Sequence, residues 1–331
     1  MRKVIWLLVC ILFIVTINFA SLALADEWVK KASMSIPRMW FSTSVVNGII
    51  YAIGGIGSQT GVTNLVEAYD PGIDKWTRKA DMPTVREGLS TEIVNGIIYA
   101  IGGENSSSQL ATVEAYDPAT DTWTKKADMQ SNRWTFATSV VDGIIYAIGG
   151  WPLSSAVEAY DPFANRWTKK ANMPTARYLF SACEFNDMIY TFGGWTGSSL
   201  SVIEVYDPRT DKWTKKKDMP FFTEGFSVNV LNGQIYLMGG MGTDSVVWVY
   251  DPVMETWTKK SDMPIARDYH STSVVNGILY VMGGTNDASG NTSYPEGIVD
   301  AYDPNKAPKR PQIEDTKGKL ATLWGKVKTS D

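Results

Sequence analysis

Six Gly-Gly pairs divide the chain at nearly even intervals. A Tyr-Asp-Pro follows each pair, and a tryptophan stands seven residues after five of the six tyrosines. The pairs begin at Gly54, Gly102, Gly149, Gly193, Gly239 and Gly283, and the tyrosines are Tyr69, Tyr116, Tyr160, Tyr206, Tyr250 and Tyr302. Self-similarity at a period a little under 50 residues predicts a repeat protein, in which each repeat forms one supersecondary unit.

Two turn signals predict four strands in each repeat. The first is Asn-Gly between two apolar runs, which favours a type I′ hairpin because both central residues of that turn need positive φ. It begins at Asn47, Asn95, Asn232 and Asn276, recurs as Asp142-Gly143, and is weaker at Asn186-Asp187, which lacks the glycine. The second is Tyr-Asp-Pro-x-x-x-x-Trp, in which proline takes its preferred φ and aspartate can bond backbone amides. We name the four predicted antiparallel strands a, b, c and d.

The pattern of Gly-Gly, tyrosine and tryptophan resembles the kelch repeat across residues 26–304. The resemblance implies an all-β fold, a β-propeller with four antiparallel strands in each blade. The last repeat ends at Pro304 with no tryptophan strand, whereas residues 27–34 (EWVKKASM) match that strand in other repeats, such as 75–82 (KWTRKADM). We therefore expect a six-bladed ring, closed by an amino-terminal strand that completes the last blade.

The two ends of the chain read differently from the repeats. Arg2 and Lys3 precede an apolar run over residues 4–17, and Ala23-Leu24-Ala25 suits signal-peptidase cleavage after residue 25. Residues 1–25 are therefore predicted to be a signal peptide and the protein to be secreted or periplasmic. An uncleaved membrane anchor is the alternative, although the run is short for a full span. Residues 305–331 form a basic, partly amphipathic tail, for which docking and disorder both remain open.

Composition and rare residues exclude several classes of function. The net charge of −4 and the pI near 5.3 argue against a nucleic-acid partner. His270 is the single histidine, so a multi-histidine metal site is excluded and a Ser-His-Asp triad is disfavoured. Cys183 would be the one cysteine left after cleavage, and we expect a small apolar residue without a disulfide partner. We expect no cofactor and no metal.

Length varies only between each Gly-Gly and the following tyrosine, so each repeat has one variable loop. Such loops on a rigid scaffold usually carry function. Strand order places them on the same face as the starts of strands a. The predicted ligand-binding residues on this face are Trp40, Arg86, Trp134, Trp151, Tyr178, Trp195, Arg267, Tyr269 and Asp287. Aromatic rings edged by polar groups suit sugars or protein side chains, while packing between blades is the alternative for several of them.

An arginine opens strand a in five repeats, and an acid stands on strand c of the same five. The arginines are Arg38, Arg86, Arg133, Arg177 and Arg267, and the acids are Glu67, Glu114, Glu158, Glu204 and Asp300. In the fifth repeat, Thr223 and Trp248 replace both members. Joint loss in one repeat predicts an ion pair within each blade, since one partner alone would leave a buried charge. Ligand contact through the arginines is the alternative interpretation.

The first functional hypothesis is an extracytoplasmic, monomeric, non-catalytic module that binds a protein or a glycan through the variable loops. The alternative is a carbohydrate-active enzyme, because the chain resembles periplasmic sialic-acid mutarotases in its signal peptide and kelch ring. Anomer exchange needs only an acid–base pair and an anion-binding arginine. Glu87, Glu224 and Asp268, with Arg86 or Arg267 as the arginine, are the weak catalytic candidates.

Overall fold

The computed structural model describes residues 27–241, 245–286 and 297–306, and all regular secondary structure within them is β. Six four-stranded antiparallel sheets form the blades. A small three-stranded sheet lies at the start of the first repeat and consists of β2 (Arg38–Met39), β5 (Ile56–Gly57) and β6 (Gly61–Val62). These observations confirm the predicted all-β propeller of six blades.

The strand bounds repeat closely from blade to blade. Blade one has β3 (Ser42–Val46), β4 (Ile49–Ile53), β7 (Val66–Asp70) and β8 (Lys75–Arg78). Blade two has β9 (Ser90–Val94), β10 (Ile97–Ile101), β11 (Val113–Asp117) and β12 (Thr122–Lys125). Blade three has β13 (Ala137–Val141), β14 (Ile144–Ile148), β15 (Val157–Asp161) and β16 (Arg166–Lys170).

The second half of the ring follows the same order. Blade four has β17 (Ser181–Phe185), β18 (Met188–Phe192), β19 (Ile203–Asp207) and β20 (Lys212–Lys215). Blade five has β21 (Ser227–Leu231), β22 (Gln234–Met238), β23 (Val247–Asp251) and β24 (Thr256–Lys259). Blade six has β25 (Ser271–Val275), β26 (Ile278–Met282), β27 (Val299–Asp303) and β1 (Glu27–Lys31).

The amino-terminal strand closes the ring as predicted. β1 pairs antiparallel with β27, with Trp28 opposite Tyr302. The indole of Trp28 lies 4.9 Å from the ring of Tyr302. The strands a also contact one another in a closed series from β3 through β25 and back to β3. Pairing the last blade with the first segment leaves no open seam in the ring.

Glycine and asparagine are required where the backbone turns sharply. Asn47 and Gly48 both have positive φ, 51° and 78°, which confirms the predicted I′-type hairpin. Gly54 also has positive φ, and a Cβ atom there would lie 2.6 Å from the carbonyl oxygen of Arg86 in the next blade. The Gly-Gly pair is therefore needed for close approach between blades as well as for its backbone conformation.

The hydrophobic core lies between neighbouring blades. One cluster joins Tyr51 and Val66 of blade one to Ile98 and Tyr116 of blade two. Another joins Tyr280 of blade six to blade one, which continues the core across the closure. Cys183 is a half-buried free thiol beside the corresponding cluster of blades four and five, and burial raises its pKa.

A polar clamp ties the outer strands of adjacent blades. The Tyr69 hydroxyl donates to Asp74 at 2.6 Å, and the same carboxylate accepts the backbone N–H of Ala32 in the preceding blade. The indole N–H of Trp76 donates to the Ala32 carbonyl at 2.8 Å. The tyrosine and tryptophan of the repeat therefore serve both packing and hydrogen bonding, a role that the sequence pattern alone did not reveal.

Candidate functional site

A ring of six backbone hydrogen bonds surrounds the centre of the loop face. The residue two positions after each strand-a arginine, or after Thr223, donates its N–H to the equivalent carbonyl of the preceding blade. The donors are Trp40, Gly88, Thr135, Leu179, Gly225 and Tyr269, with N–O distances of 2.7–3.1 Å. All six have positive φ, between 48° and 67°. We call them the hub residues.

Five arginines lie directly below the hub and are paired internally. The Arg86 guanidinium donates to Glu114 at 2.6 Å and to the carbonyl oxygens of Gly102 and Thr112. Equivalent pairs join Arg38 to Glu67, Arg133 to Glu158, Arg177 to Glu204 and Arg267 to Asp300. These contacts confirm the predicted ion pair in the five blades that carry both residues.

Burial of these pairs bears on the ligand-binding prediction. The side chains of Arg86 and Arg267 are 0% and 1% exposed. Burial lowers the pKa of Arg86 to about 10, against the opposing effect of Glu114, so the guanidinium stays charged at neutral pH. A ligand could contact Arg86 or Arg267 only if the buried ion pair of that arginine were broken. Ligand binding by these two arginines stays a prediction.

Blade five replaces the ion pair with an aromatic contact. Trp248, at the position of the acid, stacks on Phe221 with the ring centroids 5.1 Å apart and the planes at 17°. Thr223, at the position of the arginine, donates its hydroxyl to the Met241 carbonyl. A stacked pair of rings fills the volume without any buried charge, which explains why both ionic members are absent together.

Next to the hub, each strand-a start pairs with the first residue after its Gly-Gly. These backbone bridges recur in every blade, and we call them the mouth pairs. They are Met39 with Ile56, Glu87 with Glu104, Trp134 with Trp151, Tyr178 with Trp195, Glu224 with Met241, and Asp268 with Thr285. Blades three and four therefore present aromatic pairs, whereas blades two, five and six present acids.

The predicted aromatic residues form a contiguous surface at the mouth. Trp40 makes edge contacts with Trp134 at 5.0 Å and with Tyr269 at 5.2 Å. Trp151 contacts Tyr178 at 5.2 Å and is 42% exposed. With half-buried Trp195, these six residues make up what we call the aromatic surface. The structure thus brings together six of the nine predicted ligand-binding residues.

Glycine at two hub positions makes room for these rings. A Cβ atom on Gly88 would lie 2.1 Å from the Trp134 indole nitrogen, and one on Gly225 would lie 2.7 Å from the ring of Tyr269. Both glycines occur in blades whose mouth pair carries a glutamate. The aromatic rings therefore extend over the acidic blades, and the two kinds of group share one surface.

The acids of the mouth pairs are unusually buried for carboxylates. Glu87 is 9% exposed and Glu224 is 3% exposed. Burial, and secondly the charge of Glu104, raise the pKa of Glu87 to about 7. Burial also raises the pKa of Glu224, against a hydrogen bond from Ser199. The Glu87 carboxylate can therefore exchange a proton near neutral pH.

Several polar atoms of this surface lack a hydrogen-bond partner among the described residues. They are Glu87 Oε2, Glu224 Oε2, Thr135 Oγ1 and the indole nitrogens of Trp40 and Trp134. Buried polar groups are normally hydrogen-bonded, and each exception calls for an explanation. These atoms are distributed over four blades but all belong to hub residues or mouth pairs.

Comparison with known protein families agrees with this geometry. The family model described as Kelch motif matches residues 38–83 and 86–130. The model described as KLHDC2/KLHL20/DRC7 Kelch-repeats domain matches residues 136–295. The chain belongs to the kelch-repeat family. Kelch propellers commonly bind proteins, so the family fold is that of an interaction module.

A solved structure titled "Structure of YjhT" has a similar fold. The two align with a TM-score of 0.69 and 16% identity, over 80% of this chain and 95% of that chain. Likeness at that identity concerns the fold alone. No curated protein matches this chain.

The kelch propeller encloses a polar channel beneath the hub. A cavity of about 160 Å³ lies at the hub, and one of about 230 Å³ continues among the strands a. Hydroxyl groups line the deeper cavity. Among them, Ser90 of blade two and Thr138 of blade three are joined by a hydrogen bond of 2.7 Å. His270 also borders it, with a pKa that burial and Arg267 lower to about 3, so its ring is neutral at physiological pH.

One carboxylate that sequence reasoning missed lies in this channel. Glu92 is half-buried, accepts a hydrogen bond from Thr138 at 2.7 Å, and has a pKa that burial raises to about 7. The corresponding positions of the neighbouring blades are Ser44 and Ser139. The available sequence signal was an acid at a position that the other blades fill with serine, cysteine or asparagine.

Some predicted features lie outside the residues that the structure describes. Asp287 lies outside the described residues, as do the signal segment and most of the tail. Within the described ranges, no cluster of histidine, cysteine and acidic side chains could hold a metal ion. No helix in that part of the chain is long and apolar enough to cross a membrane.

Proposed function

We propose that this kelch propeller is a non-catalytic interaction module that binds a partner protein through the loop face. The observation that carries the proposal is the aromatic surface, which offers six rings at one end of the channel. Tryptophan and tyrosine dominate the energetics of protein interfaces because they bury large areas at little entropic cost. The predicted signal segment further supports action outside the cytoplasm.

The unpartnered polar atoms support binding at the same place. Glu87 Oε2 and Glu224 Oε2 can accept hydrogen bonds, and the indole nitrogens of Trp40 and Trp134 can donate them. A partner that supplied the missing groups would remove a desolvation cost already present in the free protein. Aromatic residues are enriched at the centres of protein interfaces, and here they lie beside these unsatisfied atoms.

The test begins with a random-peptide display library and a glycan array, both screened against the full chain. Peptides that bind with saturable affinity are expected, and each of Trp134→Ala, Trp151→Ala and Trp195→Ala should weaken them by about 1–3 kcal/mol. Binding confined to glycans would favour the glycan form of the module. Binding that ignores all three tryptophans would contradict the proposal.

Two controls separate binding from folding. Phe163→Ala removes an exposed aromatic side chain from a hairpin at the opposite end of the blades and should leave affinity unchanged. Asn186→Gly and Asp187→Asn alter the a–b hairpin of blade four and should also leave it unchanged. Thermal melting of each variant checks that the ring is intact.

The mutarotase alternative gains support from Glu87 alone. A carboxyl group with a pKa of about 7 is well matched to proton transfer at neutral pH. The buried and paired arginines weigh against it, because an anionic sugar needs an accessible cation. Anomer exchange of free sialic acid, followed by NMR, should stay at the buffer rate. Acceleration by the full chain that Glu87→Gln abolishes would replace the module with the enzyme.

A further inference from the structure

The variable loops carry a one-sided set of charges. None of the segments contains lysine, arginine or histidine, while acids occur in three of the six. The segments are residues 56–64, 104–112, 151–156, 195–202, 241–246 and 285–298. The strand starts beside them add Glu87, Glu224 and Asp268. At the described mouth pairs the side chains are thus acidic or neutral.

The nearest cations do not offset this charge at the surface. Each of the five arginines is neutralised by the acid of its own blade and is almost completely buried. Lysines return at the outer ends of strands d, where Lys125, Lys215 and Lys259 pair with the aspartate three residues later. The side chains at the mouth are therefore acidic or neutral, a setting that favours a cationic partner.

The mouth pair of Glu87 and Glu104 gives this charge a specific location. The two residues exchange backbone hydrogen bonds at 2.9 and 2.8 Å, which sets their side chains next to each other. Like charges directly opposite in a β pair are destabilising. Glu87 is more than nine-tenths buried, and its Oε2 lacks a partner among the described residues. A bound cation would relieve both the repulsion and the unsatisfied oxygen.

A second buried carboxylate and the surrounding rings complete the arrangement. Glu224 is 3% exposed with Oε2 unpartnered, and its charge acts on Tyr269 together with that of Asp268. The Trp134 indole lies over Gly88, next in sequence to Glu87. An aromatic face beside a carboxylate is the setting in which guanidinium and ammonium groups bind, through cation–π contact and charge-assisted hydrogen bonds.

We propose that the protein partner presents a basic segment, whose arginine or lysine side chains bind between the mouth acids Glu87, Glu104 and Glu224 and the aromatic surface. This inference rests on the proposed function and names the chemistry of its partner. Arginine should be preferred to lysine, because its planar fork can stack on an indole while donating to a carboxylate. Anionic ligands should be rejected by the same charges.

The experiment compares three capped peptides that differ only at their central positions, which are arginine, glutamine or glutamate in a framework of glycine, serine and tyrosine. Affinities for the full chain are measured by fluorescence anisotropy at physiological ionic strength. We expect the arginine peptide to bind about tenfold more tightly than the glutamine peptide, and the glutamate peptide to bind most weakly. Glu87→Gln and Glu224→Gln should each weaken the arginine peptide by about threefold or more.

Matched charge changes on the opposite face separate a site from general attraction to an acidic protein. Asp142→Asn and Asp187→Asn remove one charge each from exposed a–b hairpins and preserve a residue type that tolerates their positive φ. Both should leave affinity unchanged. Weakening equal to that of Glu87→Gln would overturn the inference, as would no measurable binding of the arginine peptide.

The outcomes also distinguish this inference from the proposed function. Equal binding of the glutamine and arginine peptides, with loss on Trp134→Ala, would overturn the basic partner and retain loop-face binding. Peptide binding that is insensitive to all three tryptophan variants would overturn the loop face itself. Thermal melts of the glutamine variants establish that they are folded.

Discussion

Arg86 shows at the scale of single residues why the repeat tolerates no length change near its ion pair. Its guanidinium joins the start of strand a to the carbonyls of Gly102 and Thr112 and to Glu114 on strand c. One side chain thus fixes the relative positions of three strands. A charge this buried is tolerated only while its partners remain in place.

This geometry predicts strong coupling between Arg86 and Glu114. Each single change to alanine should cost about 3–5 kcal/mol of unfolding free energy, because it strands the other charge. The double variant should cost less than the sum, with an interaction of about 2 kcal/mol or more in a double-mutant cycle measured by urea unfolding.

The exposed pair of Arg78 and Asp81 is the internal control. Its side chains are 53% and 42% exposed, so solvent screens the attraction. The same cycle there should give less than about 1 kcal/mol. Equal interaction energies in the two cycles would contradict the prediction that burial strengthens the Arg86–Glu114 pair.

Glu92 predicts how stability depends on pH. Its pKa is raised to about 7 in the folded protein, so the folded state holds a proton that the unfolded state has already released. Stability should therefore fall as pH rises from about 5 to 8, the reverse of the usual paired carboxylate. Near pH 8, Glu92→Gln should raise the unfolding free energy by roughly 1–3 kcal/mol. At about pH 5 the same variant should change the unfolding free energy little.

Thermal melts across this range provide the measurement. Glu87 has a pKa of about 7 as well, so the variant should reduce the pH dependence without abolishing it. Identical profiles for Glu92→Gln and the unaltered chain would show that the Glu92 carboxylate is better solvated than its setting in the channel indicates.

The strands themselves were the most predictable elements. Asn-Gly at Asn47 fixes both the turn type and the register of β3 with β4, since a two-residue I′ loop permits one pairing. The ion pairs could be predicted because blade five loses both members together. Both features recur from repeat to repeat, so comparison of the repeats within the sequence is enough to predict them.

Features that depend on contacts between blades were not predictable in the same way. Trp40, Thr135, Leu179 and Tyr269 adopt positive φ, a conformation that these side chains seldom favour. Hydrogen bonds between neighbouring blades impose this positive φ at the hub. In the sequence, only the glycines at Gly88 and Gly225 indicate it. The Asp74 clamp was missed because its partner, the backbone of Ala32, carries no sequence signal.

β1 carries the prediction at the scale of elements. Deleting residues 27–31 removes every hydrogen bond between β1 and β27 and exposes the edge of blade six. We expect a marked fall in melting temperature and a tendency to self-associate, measured by calorimetry and light scattering. An unchanged melting curve in a monomeric variant would contradict closure by the amino-terminal strand.

At the scale of the whole molecule, the elements that hold the ring together lie largely apart from the proposed binding surface. Cores between blades and clamps at the outer strands hold the ring together, while the hub closes it around the channel. The aromatic surface shares Trp40 and Tyr269 with the hub, but it and the mouth acids also contain buried polar atoms that reduce stability. A group retained against stability is expected at a functional surface.

Hydrogen–deuterium exchange of the full chain, with and without a selected binding peptide, tests the central claim most directly. We expect protection in segments 86–88, 133–135 and 177–179, which contain hub residues and mouth pairs of blades two to four. The a–b hairpins at Asn47, Asn95 and Asp142 should exchange at the same rate in both samples. Protection of the hairpins without protection of the hub segments would show that the partner binds the opposite face.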